Sequence, residues 1–433
     1  MKPKFPAALA IAGLACLLLA GCQTDDGEVP DTVFRSLAKV AADDAADYDS
    51  FGLSVAVDGN YALVGAPGRD VNGSNSGAAY LYLQSQGGLD AWGQAAMLVA
   101  GDPADGDLFG MSVDISGDVA VVGAAGDDGT GSVRGAAYIF YRYQGGADVW
   151  GQVKKIAAAD AANGDAFGNA VALDGNILIV GADGEDGAGT DRGAAYIFAR
   201  DQGGPDNWGQ VAKLQAGDPA DGVQFGFSVD IAGDVAIVGA PGESLTGTDR
   251  GAAYVYSRDL GGADAWGLVK KITAGDGADD DLFGVSVSLG GAFAVVGAAW
   301  VDGDGTNRGA AYLFGKDQGG ADSWGPVKKL TASDAHNNDI FGYHVDVDGD
   351  LIVVGAPWSL GGGTERGQVY VFSRNEGGAD NWGQAQILRA SDAANKDWLG
   401  SRVALDGLYL IVGATGEDGS GVERGAAYVF RKL

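Results

Sequence analysis

The chain has 433 residues, 76 of them glycine, with a hydrophobic fraction of 46% and a formal net charge of −30. That much apolar side chain argues against a disordered linker. The acidity argues against nucleic acid and anionic membrane surfaces as partners, because both are gripped through Lys and Arg. It is compatible with cations or a basic partner.

In chain order, residues 1–21 read as a signal peptide. Lys2 and Lys4 make its start positive, and residues 5–19 form an apolar run too short and too broken by Pro and Gly to span a bilayer well. It ends in Leu19-Ala20-Gly21-Cys22, which resembles the lipobox of bacterial lipoproteins. That resemblance implies cleavage before Cys22, lipid on its sulfur, and the membrane as a partner through this anchor. Cys16 then departs with the signal, so no disulfide is expected. Residues 22–32, rich in Asp, Gly and Pro, are expected to act as the lipidated tether. Gln23 stands where an aspartate would resemble an inner-membrane retention signal, so the outer membrane of a bacterial cell envelope is expected.

From residue 33 to 433 the chain repeats itself. A Phe-Gly pair begins at residues 51, 109, 167, 225, 283 and 341, and Leu399-Gly400 holds the seventh place at the same 58-residue interval. Such self-similarity has to be settled before any other fold argument. The copy beginning at Phe109 shows the pattern. A short strand runs from Phe109 to Ile115, Ser116-Gly117-Asp118 turns the chain, and residues 119–124 make an apolar second strand. A loop leads to a third strand at residues 135–140. A glycine-rich segment and Trp150 then precede a fourth, Val153-Lys154-Lys155-Ile156-Ala157. Turns such as Asp58-Gly59-Asn60 and Asp174-Gly175-Asn176 carry the residues that tolerate tight hairpins. No segment has a helical period.

Four antiparallel strands in each of seven units predict an all-β, seven-bladed β-propeller. The ends of the chain complement each other. The last copy stops after its third strand, while residues 34–40 look like a fourth strand with nothing before them. Pairing the two would close the ring and leave no bare edge.

The Phe-Gly pairs, followed by Gly65-Ala66-Pro67, Gly239-Ala240-Pro241 and Gly355-Ala356-Pro357, resemble FG-GAP repeats, the family of the integrin α propeller and many bacterial surface proteins. The resemblance implies a role in adhesion or ligand binding. Integrin-type repeats often carry a calcium loop between the first two strands. Here that connection is a tight turn with too few oxygens for Ca²⁺, so that site does not carry over.

Acidic clusters before the Phe-Gly pairs are the candidates for a different Ca²⁺ site: Asp102, Asp105 and Asp107; Asp160, Asn163 and Asp165; Asp276, Asp279 and Asp281. The plainer alternative is an Asx-rich turn at each blade crossover. Arg134, Arg192, Arg250, Arg308, Arg366 and Arg424 stand before the third strands, with Ser76 in the first copy, and are expected to pair with crossover carboxylates. The recurring Trp92, Trp150, Trp208, Trp266, Trp324 and Trp382 are expected to pack between blades. Trp300 and Trp358 break the repeat, and with Asp302 and Asp304 they are the candidates for ligand contact. The two histidines, His336 and His344, match no nucleophile or zinc spacing, and no catalytic constellation is apparent. The expected function is therefore binding or adhesion, with a protein or glycan as ligand, rather than enzymatic. A polysaccharide-acting enzyme with carboxylates at the channel mouth and a purely structural envelope protein are the alternatives.

Overall fold

A computed structural model of the chain describes residues 33–244 and 247–433. The signal sequence and the whole of the tether, Cys22 included, lie outside them. Seven four-stranded antiparallel sheets form the seven blades, and in six of them the strands follow in sequential order from the axis outward. Blade 2 runs Phe109–Ser116, Val119–Ala124, Ala136–Tyr141 and Gly151–Ile156. Alternation explains the sheet. Val113 and Ile115 are buried on one side, while the outermost strand, which carries Lys154 and Lys155, is half-exposed along most of its length. There is no helix among the described residues, and none that could cross a membrane.

The Phe-Gly motif makes the joints between blades. Phe109 is fully buried and meets the edges of Tyr138 and Phe140 at centroid distances of 5.3 and 6.0 Å. Gly110 adopts φ 97°, a left-handed backbone that disfavours any side chain. Gly123 on the second strand needs glycine for a different reason. A Cβ there would stand 2.0 Å from the Gly168 carbonyl of the next blade, so the close approach of adjacent blades depends on its absence. Leu399, the exception to the motif, is equally buried, because the site demands an apolar plug more than a ring.

Residues 34–40 close the ring as expected. The strand Phe34–Val40 pairs antiparallel with Ala426–Lys432, running from Phe34 opposite Lys432 to Val40 opposite Ala427. It thus becomes the outermost strand of blade 7, and Val40, Ile411 and Val429 share one core with blade 1 residues such as Val64.

Candidate functional site

The crossovers between blades and the loops between second and third strands lie on one face. The nine residues considered for calcium divide there into three recurring roles. Asp102, Asp160 and Asp276 each accept the hydroxyl of a core tyrosine (Tyr138, Tyr196, Tyr312) and the ammonium of a lysine (Lys155, Lys213, Lys329). Asp105, Asn163 and Asp279 accept backbone N–H groups of the preceding blade's loop at Ser74, Ser132 and Thr248, and Asp279 also accepts Arg250 Nε at 2.8 Å. Asp107, Asp165 and Asp281 are buried and accept the N–H three residues before them. Successive acids thus serve three different partners, and no group of three or more His, Cys, Asp or Glu converges as a metal site would among the described residues. This donor set does not fit Ca²⁺, which needs six to eight oxygens on one point.

Three of the six arginines pair with crossover carboxylates as expected, Arg192 with Asp221, Arg250 with Asp279 and Arg424 with Asp47, all at 2.8 Å. Arg308 and Arg366 instead donate to the amide oxygens of Asn337 and Asn395, and Arg134 to the Ala161 carbonyl. The repeated tryptophans are buried. Trp92 packs on Tyr409 of blade 7 at 5.1 Å, and Trp382 on Phe293 of blade 5 at 5.0 Å. Asp302 is a loop brace. It accepts the Asn307 N–H at 3.0 Å, as Asp70, Asp128, Asp186 and Asp418 do at the same place in their own copies. Asp304 is exposed, and Trp358 is 41% exposed and stands outside the central cavity.

Trp300 does line that cavity, which opens along the axis with a volume of ≈ 290 Å³. Its walls are the innermost strands. Ser54, Ser112, Ser228 and Ser286 each donate a hydroxyl to the carbonyl of a glycine in the next blade, at 2.7 to 3.2 Å. In blades 6 and 7 the same position holds His344 and Arg402. Trp300 and Tyr343 stand with ring centroids 6.3 Å apart, and the Arg402 guanidinium lies 5.6 Å over the Tyr343 ring. Arg402 also donates to the Ser401 carbonyl at 2.8 Å and forms no ion pair among the described residues. Burial, with the Arg402 charge beside it, pushes the His344 imidazole down to about 3, so this ring is neutral and its Nδ1 accepts the Val403 N–H at 3.4 Å. One cation, a neutral imidazole and two rings therefore meet at the crossover-side mouth.

Deeper in the cavity are Asp114, Asp230 and Asp346, on alternate blades. Each accepts the N–H of the residue after it and one from the next blade: Ile115 and Leu173, Ile231 and Leu289, Val347 and Leu405, at 2.6 to 2.8 Å. One carboxylate thus clamps two inner strands. Burial raises them to about 7, 8 and 6 respectively, although the N–H bonds oppose the shift.

The FG-GAP repeat model matches seven segments, residues 34–82, 92–140, 150–198, 208–256, 266–314, 324–372 and 382–430. The chain belongs to the FG-GAP repeat family. Each FG-GAP unit begins with the outermost strand of one blade and supplies the three inner strands of the next. The ring therefore closes because the repeat and the blade are out of phase by one strand. No curated protein matches the chain in sequence. Among solved structures, a chain of one titled "Crystal Structure of Mitotic Checkpoint Complex" superposes with a TM-score of 0.54 at 12% identity, over 98% of this chain and 99% of that one. At that identity the likeness shows the propeller fold alone.

Within the FG-GAP columns Trp300, His344 and Arg402 are exceptions, whereas the column of Tyr343 differs in every copy. The position of Trp300 is glycine in five of the other copies (Gly68, Gly126, Gly184, Gly242, Gly416), and that of His344 and Arg402 is serine in four. The sequence singled out Trp300, but His344 was set aside for matching no catalytic or zinc spacing, and Tyr343 and Arg402 were passed over. The signal was the column comparison, which separates residues the fold repeats from residues it does not. The aspartate clamps were missed for the same reason, since their column alternates with Ala56, Ala172 and Ala404.

Proposed function

We propose that this FG-GAP propeller is a ligand-binding module whose site is the mouth formed by Trp300, Tyr343, His344 and Arg402. The observation that carries the reading is the convergence of the repeat-breaking Trp300, His344 and Arg402, with Tyr343, on one cavity. A fold that satisfies itself with serine and glycine in most blades has no structural need for His, Arg and Trp in three adjacent ones, and polar and aromatic groups converging on a rigid cavity are how ligand sites are built. The cavity aspartates are committed to backbone N–H groups, which favours binding over hydrolysis by paired carboxylates.

The module is held on the bacterial envelope through lipid on Cys22, in the outer membrane. The strand Phe34–Val40 runs antiparallel to Ala426–Lys432, which starts at the crossover face, so the tether joins the opposite face. Residues 23–33 reach at most about 38 Å when extended. The mouth accordingly points away from the bilayer, toward ligands outside it.

The test is a binding screen against glycans and proteins with the wild type and with W300G/H344S/R402S, which restores the residues of the other copies. The variant should keep its melting temperature and lose the ligand. A ligand held equally by both proteins would place the binding site elsewhere. For the anchor, Cys22→Ser should abolish partition into membranes.

A further inference from the structure

Resting on that reading, we infer that the ligand is a carboxylated sugar, free or at the end of a glycan. The balance of donors and acceptors at the mouth carries the inference. The hydroxyls of Ser112 and Ser228 are spent as donors on carbonyls of the next blade, at 2.7 and 2.9 Å, so toward the cavity they offer lone pairs only. Asn169, also on the wall, uses Nδ2 on the Gly226 and Phe227 carbonyls at 3.2 Å, and its buried Oδ1 has no partner. A ligand placed against this wall has to bring several hydrogen-bond donors, which hydroxyl groups supply.

The opposite part of the rim is the reverse. His344 accepts through Nδ1, leaving Nε2–H to donate, and Arg402 adds a guanidinium that no carboxylate of the described chain neutralises. One cation beside a neutral donor fits a single carboxylate. Trp300, partly exposed next to Tyr343, offers a face on which the C–H side of a pyranose ring can lie. A peptide carboxyl terminus would meet the Arg402 end but bring the acceptor wall only one backbone N–H per residue, where a pyranose brings several hydroxyls on one ring. A neutral sugar would satisfy the wall and leave the guanidinium unpaired. The net charge of −30 disfavours a long polyanion and so favours a single acidic unit.

The experiment is calorimetric titration of the full-length chain in detergent micelles, with tryptophan fluorescence read in parallel. The probes are D-glucuronate, D-glucose and a short peptide with a free carboxyl terminus. Glucuronate should bind at least about tenfold tighter than glucose or the peptide. R402Q should lose about tenfold or more, and R402K should recover part of that loss, because a point charge replaces the fork. R402S, which installs the residue of the other copies, should match R402Q in binding and the wild type in melting temperature, so loss of fold cannot mimic loss of charge. Equal affinity for glucose and glucuronate, wild-type binding by R402Q, or no response to glucuronate up to about 10 mM overturns the inference. A peptide that binds more tightly and depends on Arg402 also overturns it. In that event the mouth remains the binding site and only the ligand class falls. A screened ligand unaffected by W300G/H344S/R402S would instead remove the mouth itself.

Discussion

Lys39, on the closing strand, donates to Asp392 at 2.7 Å across 353 positions of sequence, and the same ammonium reaches Glu417 at 2.8 Å. Burial opposes the charge, but hydrogen bonds to Asp392 and Glu417 hold it well above the usual lysine range. Tyr428 completes the group by donating to Asp392. The arrangement repeats Lys155 with Asp102, Asp127 and Tyr138 in blade 2, so the borrowed strand is bound as an ordinary member of its blade.

Removing residues 33–40 should therefore lower the melting temperature of the whole propeller, by about 5–10 °C, and promote association through the freed edge of Ala426–Lys432. Lys39→Met alone should cost only about 1 kcal/mol, since the pair is partly solvated. A deletion protein that melts like the parent would contradict this account of closure, as an open array would lose only a local end unit.

The cavity aspartates predict an unusual alkaline limb. Asp114, Asp230 and Asp346 hold their protons up to about 7, 8 and 6 in the folded protein, whereas an unfolded aspartate releases its proton near 3.9. The folded state thus binds more protons between those values, and its stability falls as pH rises through them. Asp102, Asp160 and Asp276 work the other way. Although burial opposes it, lysine and tyrosine hold them below the usual range, and their contribution is lost on acidification. Melting temperature measured from pH 4 to 9 should peak on the acid side of neutrality. Asp230→Ala should cost about 2–4 kcal/mol by stripping two N–H groups, and should flatten the decline above pH 6. An undiminished decline in that variant would assign the limb to other groups.

Calcium should do nothing to the fold. Because Asp276, Asp279 and Asp281 serve Lys329, Arg250 and a backbone N–H respectively, millimolar Ca²⁺ or a chelator should move the melting temperature by less than about 1 °C. A saturable upward shift with Ca²⁺ would reveal a site these bonds do not describe.

Two tryptophans should behave oppositely. Trp208 is 1% exposed and donates its indole N–H to Tyr141 at 2.8 Å, so Trp208→Ala should cost about 3–5 kcal/mol. Trp358 is 41% exposed, and its removal should change stability by less than about 0.5 kcal/mol. Comparable losses at both positions would mean Trp358 has a packing role that its exposure conceals.

The repeat by itself determined the architecture. Phe-Gly at a constant interval, hairpin turns such as Asp174-Gly175-Asn176, and an unpaired fourth strand at residues 34–40 specify blade count, strand order and closure. Each of these is a local pattern, multiplied sevenfold, and local patterns are legible in one dimension. Tertiary structure alone decided what the acidic residues do. Asp102, Asp105 and Asp107 are neighbours in sequence but turn to a lysine and tyrosine, to the preceding blade, and to their own turn, because the crossover winds between two sheets. It also decided the site. Trp300, Tyr343, His344 and Arg402 come from blades 5, 6 and 7 and are spread over a hundred positions, and they meet only because those blades share an axis.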